Sequence, residues 1–248
     1  MKPRYPLALV TGSAHRLGKA LALAMARNGH AVLLHFFHSR VEALATADEI
    51  RSLGVPAYLQ EADLGGLSGV EDLISSLDNI LNDPSAPISD FRVLVNSAAV
   101  MPQADARTLS SEKWDATFAL NVRAPFLLAQ ASTRRMTEGG LIVNMTDVGA
   151  QKAWSRFPAY TVSKAALESM TKVLARAFAP SIRVNAIAPG LVLPTEGFPT
   201  EEWYRLVSKS PLKRPANTEE IGAALEFLLK NEYITGQTIT IDGGYSLV

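Results

Sequence analysis

The 248-residue chain has no cysteine, which excludes disulfides and thiolate metal sites. It has no net charge either: 24 Lys and Arg balance 24 Asp and Glu. That balance lacks the basic field of a nucleic-acid binder and the acidic excess of a disordered chain. No run of about 18 apolar residues is present, so no membrane span is expected. The start, MKPRYPLALVTG, has too short an apolar run for a secretory signal and no cleavage pattern, so a cytoplasmic location is expected. Histidine is scarce: His15, His30, His35 and His38 all fall within the first 38 residues. None has H-E-x-x-H spacing, and no carboxylate cluster accompanies His35 and His38. These two read as polar loop residues, and no metal is expected. Fixed-period repeats and low-complexity tracts are absent too.

What the chain does have is apolar content, 48% of residues, arranged in a regular alternation. Strands are expected at Leu7–Thr11, Ala31–His35, Ala57–Glu61, Arg92–Asn96, Gly140–Met145, Arg183–Ile187 and Thr238–Ile241. Helices are expected near 17–28, 40–53, 67–82, 112–137, 159–179 and 217–230. Alternating strand and helix implies a parallel sheet covered on both faces. Continuous apolar strands such as LALV suit such burial. The expectation is a single α/β domain over 1–248, doubly wound and Rossmann-like. Loops are expected at 83–90 and 189–200; the second, PGLVLPTEGFPT, follows a strand and suits a binding lid.

The segment ALVTGSAHRLGKALA reads strand, turn, helix, with Gly12 and Gly18 bracketing Ser13, His15, Arg16 and Leu17. Glycine allows a tight turn and close approach to phosphate. The helix N-terminus behind it offers free N–H groups to a pyrophosphate. Sites that prefer NAD usually carry an acid about 20 positions further on. Here LLHFFHSRVE has none before Glu42; His38, Ser39 and Arg40 stand there instead, with Arg16 in the turn. Cations and hydroxyls in that place suit a 2′-phosphate, so the expected cofactor is NADPH.

Residues 147–164, DVGAQKAWSRFPAYTVSK, carry the chemistry. Tyr160 and Lys164 are four apart and share a helix face. A nearby ammonium lowers a phenol's pKa from its usual value of about 10. The pair is therefore a candidate proton donor for reducing C=O or C=N. Asp147 precedes Tyr160 by thirteen positions. An ionised carboxylate accepts hydrogen bonds but cannot donate them, and it would repel a developing alkoxide. It would also keep Tyr160 protonated. A ring that offers N–H donors and protonatable nitrogens fits Asp147 better than a plain ketone does.

Together the motifs TGSAHRLG, Asp63-Leu64, NSAA at 96–99, Asn121 in FALNVRAPF, YTVSK, RVNAIAPG and ITGQTITIDGG resemble the short-chain dehydrogenase/reductase family across nearly the whole chain. The resemblance implies that Asp63 and Leu64 meet adenine, and that Asn96 and Ala98 border the cofactor. It also implies that Pro189, Gly190 and Val192 frame the nicotinamide, and that Asn121 supports a proton relay through Lys164. Arg16 and Asp147 replace the family's usual glycine and serine, as in its pteridine reductase branch. HFFHSR, WYRLVSKSPL at 203–212 and the tail YITG…DGGYSL are similar to that branch.

The branch resemblance implies reduction of a dihydropterin or dihydrofolate C=N bond, with Arg16, Asp147 and Tyr160 at the substrate and Trp203 in a lid near 190–212. Met101 stands where that branch usually stacks an aromatic on the pterin. A thioether packs on a π face with less specificity. Two alternatives stand beside this reading: a reductase of a ketone, quinone or 3-oxoacyl substrate, and a non-catalytic NADPH-binding regulatory protein. The family also implies a homotetramer built through 112–137 and 159–179.

Overall fold

The computed structural model describes residues 3–195 and 197–248. Seven strands form one parallel sheet in the order β3-β2-β1-β4-β5-β6-β7. They are β1 (Tyr5–Val10), β2 (Ala31–Phe36), β3 (Ala57–Glu61), β4 (Ile88–Asn96), β5 (Met136–Met145), β6 (Ile182–Pro189) and β7 (Thr238–Ile241). The helices are α1 (Arg16–Arg27), α2 (Arg40–Ser52), α3 (Leu67–Asn82), α4 (Ser111–Phe118), α5 (Ala124–Ser132), α6 (Pro158–Phe178), α7 (Thr200–Lys209) and α8 (Thr218–Lys230).

Strand alternation divides the apolar residues between two cores. Ala8, Val10, Val32 and Leu34 face α1, α2 and α8, where Leu21, Met25, Ile50 and Leu225 pack on them. Leu7, Leu9, Leu33 and Leu94 face α3, α5 and α6, and meet Leu73, Leu128 and Leu174. Both faces of the central strands are therefore dry, which is why they read as unbroken apolar runs. The expected single doubly wound α/β domain is the observed one.

The expected helix over 112–137 is corrected. Helix α4 passes into one π-helical turn, Ala119–Arg123, and then into α5, which ends at Ser132. Single π turns inside helices often mark functional positions, and this one carries Asn121. From Met136 the chain is already β5, four residues before the expected start. Met136 pairs with Phe91, and Thr137 donates to Asp90 at 2.9 Å, so the sheet extends past the apolar run. Two loop boundaries also move: β4 begins at Ile88, and α7 follows the 189–200 loop at Thr200.

Candidate active site

Strand order reverses between β1 and β4, and α/β sheets bind ligands at such a switch point, beyond the carboxyl ends of the strands. A cleft of about 490 Å³ opens there. Its floor is the glycine turn. Gly12 has φ +64°, and a Cβ on it would lie 2.9 Å from Ala98 Cα. A Cβ on Gly18 would lie 1.9 Å from the Gly12 carbonyl oxygen, so α1 can start this close to β1 only without a side chain. No side chain caps α1, and its first turn holds no acid. Its open N–H groups and dipole fit a phosphate.

His35 braces this turn. It is no loop residue: it is buried near the end of β2, a correction to the reading from sequence. The Gly12 N–H donates to Nδ1 at 3.1 Å, and Nε2 lies 3.0 Å from the Ala62 carbonyl. Burial lowers its pKa to about 4, so the ring is neutral, with its proton on Nε2. Thr11, the first residue of the TGSAHRLG motif, is a second brace, a role the motif did not assign. Its hydroxyl oxygen accepts from the N–H groups of Ser97 at 2.9 Å and Ala98 at 3.0 Å.

Most residues expected at the cofactor do line the cleft. Gly12, His15, Arg16, Leu17 and Gly18 form its floor. Ser39, Asp63, Leu64 and Ala98 line it as well, and so do Tyr160, Lys164, Pro189, Gly190 and Val192. Four expected residues lie elsewhere. Ser13 is buried and donates its hydroxyl to the His35 carbonyl, bracing the turn from behind. Asn96 is buried in the sheet and donates to Asn144 Oδ1 at 2.9 Å. His38 is exposed against Phe37, and Arg40 reaches Glu61 at 3.2 Å. The last two flank the cleft from solvent.

Tyr160, Lys164 and Asp147 converge. The Tyr160 hydroxyl donates to Asp147 Oδ2 at 2.8 Å. Asp147 Oδ1 accepts the Gly149 N–H at 2.6 Å, which fixes the carboxylate. Lys164 Nζ lies 5.6 Å from the Tyr160 ring centre and donates to the Met145 carbonyl at 2.7 Å. Burial, and then the Asp147 charge, push the Tyr160 phenol well above its ordinary pKa. Burial lowers Lys164 to about 8, against the opposing pull of Asp147. Burial also raises Asp147, in spite of the Gly149, Tyr160 and Lys164 contacts that favour its ionised form. The phenol is thus held protonated beside a carboxylate that accepts from it.

Asn121 makes no direct hydrogen bond to Lys164. Its Oδ1 accepts from the Val100 N–H, and its Nδ2 donates to the Val100 carbonyl and to Ser163 Oγ, all at 3.0 Å. The π turn delivers this side chain, and its work here is to hold residue 100 against α6. As a result Val100, rather than Met101, stands in the cleft wall. Trp203 is also outside the wall; it lies in α7, edge-on to Phe198 with ring centres 6.3 Å apart. Arg16 does line the wall and donates to the carbonyls of Leu193 at 3.3 Å and Pro194 at 2.7 Å. It thereby ties the glycine turn to the loop opposite. Among the described residues no His, Asp or Glu cluster is arranged to hold a metal, and no helix is long and apolar enough to cross a membrane.

Residues 12–246 match the family described as enoyl-(acyl carrier protein) reductase. The alternative dihydrofolate reductase 1, FolM, of Brucella canis, solved with NADP, superposes with a TM-score of 0.90 at 37% identity, covering 98% of this chain and 94% of that one. An NAD-dependent glycerol dehydrogenase of Listeria innocua is 34% identical over 97% of this chain and 94% of its own. A 3-oxoacyl-[acyl-carrier-protein] reductase of Synechocystis is 32% identical over 96% of each. The ordered motifs, the seven-stranded sheet and these matches agree: the chain belongs to the short-chain dehydrogenase/reductase family of oxidoreductases.

Proposed function

We propose that the protein is an NADPH-dependent reductase of the C=N bond in a dihydropterin or dihydrofolate. The observation that carries this reading is the 2.8 Å hydrogen bond from Tyr160 to Asp147. The proton donor is paired with an acceptor-only group, which suits a ring bearing N–H donors. The 37% identity to an alternative dihydrofolate reductase supports the same substrate class.

NADP(H) is the cofactor supported by that NADP-bound structure, by the open α1 N-terminus, and by the lack of an acid between His35 and Arg40. Arg16, the α1 N–H groups and Ser39 would hold its phosphates; Asp63 and Leu64 would border adenine; Lys164, Pro189, Gly190 and Val192 would border the nicotinamide. Reduced nicotinamide supplies a hydride when bound. Tyr160 delivers a proton from its hydroxyl, directly or through water. Asp147 accepts from ring N–H groups and orients the ring. Lys164 keeps positive charge near the oxygen that loses the proton, and Asn121 fixes Val100 at the wall. Trp203 and α7 form part of a lid over 190–212. The exposed Phe126, Val162 and Val173 on α5 and α6 support a homotetramer joined through these helices.

A ketone or 3-oxoacyl substrate is the second reading. The Synechocystis relative and the aliphatic Val100 in the cleft wall, with Met101 at the position of the branch's stacking aromatic, favour it. Comparing dihydrobiopterin, dihydrofolate and a set of ketones as oxidants of NADPH separates the two.

Two expected results follow from the geometry. Arg40→Ala should weaken NADPH about tenfold and leave NADH nearly unchanged, because the exposed Arg40 exchanges Glu61 for the 2′-phosphate when NADPH binds. A charge-assisted hydrogen bond is worth about 1.5–3 kcal/mol, and the exposure of this side chain puts the effect at the low end. Calorimetric titration measures it; equal affinity of the unmodified protein for both cofactors would contradict the NADPH assignment. The second result concerns pH. Lys164 is charged below its pKa of about 8 and loses that charge as pH rises through it. The kcat/KM of reduction, which reports the free enzyme, should therefore fall above about pH 8. A plateau held to pH 10 would remove the ammonium from the mechanism.

A further inference from the structure

We propose that Lys152 is a positioning residue, tying the loop that carries Asp147 to the strap that follows β7, residues 242–248, and through it to the end of α7. The inference rests on the reductase reading above and assigns a role to a side chain outside the Tyr160, Lys164 and Asp147 set.

Lys152 follows Asp147 by five positions, at the end of a short 3-10 turn, Val148–Ala150. Its own N–H donates to the Val148 carbonyl at 3.1 Å, which fixes the backbone from which the side chain projects. Its ammonium donates to the Tyr245 carbonyl at 2.9 Å and to the main-chain oxygen of Val248, and lies 4.7 Å from the centre of the Tyr245 ring. One cation thus holds the strap by two main-chain oxygens and an aromatic face. Tyr245 is buried, and its phenol is pushed up by burial and by the charge of Asp147. The strap therefore lies within electrostatic reach of the catalytic carboxylate.

The other side of the strap holds the lid. The Gly243 carbonyl accepts from Ser210 Oγ at 2.9 Å and from the Leu212 N–H at 3.1 Å, immediately after α7. Ser210 is buried in this contact. Asp242 accepts from the N–H groups of Gly244 at 2.9 Å and Ser246 at 2.6 Å, which keeps the turn closed. The Gly190 N–H donates to the Ile241 carbonyl at 3.0 Å, next to the Pro189–Gly190 wall of the cleft. A contiguous chain of hydrogen bonds and packed groups runs from Asp147 through Lys152 and the strap to residues 210–212. Removing the ammonium leaves the half-buried Tyr245 carbonyl without its donor and frees the lid end from the catalytic loop. Lys152→Met should loosen the substrate side while the glycine turn, braced separately by His35, stays as it is.

The test compares Lys152→Met and Lys152→Arg with the unmodified, NADPH-saturated protein. Hydrogen exchange read by mass spectrometry should become about tenfold faster over 243–247 and over 210–213 in Lys152→Met, the scale of losing one charge-assisted hydrogen bond, with 12–18 unchanged. Substrate KM should rise about tenfold with kcat nearly constant and NADPH affinity kept. Lys152→Arg should restore both readouts. Unchanged exchange over 210–213, or equal loosening over 12–18, would overturn the proposal. The exchange readout needs no turnover, so it decides the role of Lys152 even if every pterin is refused, a result that would instead overturn the substrate reading.

Discussion

Tyr160→Phe is expected to lower turnover by about 10²–10⁴-fold, the usual contribution of a positioned acid or base. The substitution removes one hydroxyl and keeps the ring. The packing of α6 on the sheet should survive, and so should the cleft wall that the ring forms. NADPH affinity should change little, because the contacts assigned to the cofactor come mainly from the glycine turn, the 63–64 corner and the 189–192 wall. The loss should fall on kcat. Without the hydroxyl, Asp147 Oδ2 loses the donor that now sits 2.8 Å away, and the reacting atom loses its positioned proton source. The measurement is steady-state kinetics beside a fluorescence titration of NADPH. Near-normal turnover would remove Tyr160 from the role of proton donor.

The second large effect is expected at Asp147. Asp147→Ser exchanges an acceptor for a hydroxyl that can donate. Reduction of a dihydropterin should fall by about 10²-fold or more, the scale for removing a group that pairs buried polar atoms of the substrate. Activity toward simple ketones should persist or rise, because a serine hydroxyl donates to a carbonyl oxygen where a carboxylate repels the developing charge. The Tyr160 pKa should come down as well, since the Asp147 charge is one cause of its elevation. The pH profile of the variant therefore gives a second readout. A parallel loss on pterins and ketones would show that Asp147 only maintains structure.

The sheet and its order of elements were legible because burial on both faces writes itself into strands such as LALV and RVLVN, and the glycine turn and YTVSK carry their own spacing. Four features were not legible, each for a physical reason. The π turn at Ala119–Arg123 has no periodic signature in five residues; it becomes visible only through Asn121 and its three contacts with Val100 and Ser163. His35 looked polar and loop-like because it ends an apolar run, yet burial lowers its pKa to about 4 and makes it a neutral brace. Met101 matched a position counted along the chain, but the grip of Asn121 on residue 100 presents Val100 to the cleft instead. The grip of Lys152 on the strap spans 93 residues, a separation at which no local pattern operates.

The central claim is that the acid Tyr160, paired with Asp147, serves an N-heterocycle. NADPH oxidation by the unmodified protein, measured side by side with dihydrobiopterin, dihydrofolate, simple ketones and a 3-oxoacyl thioester, tests it most directly. The highest kcat/KM is expected for a dihydropterin or dihydrofolate, with slow reduction of the carbonyl compounds. Ready reduction of ketones or the thioester, with every pterin and folate refused, would contradict it.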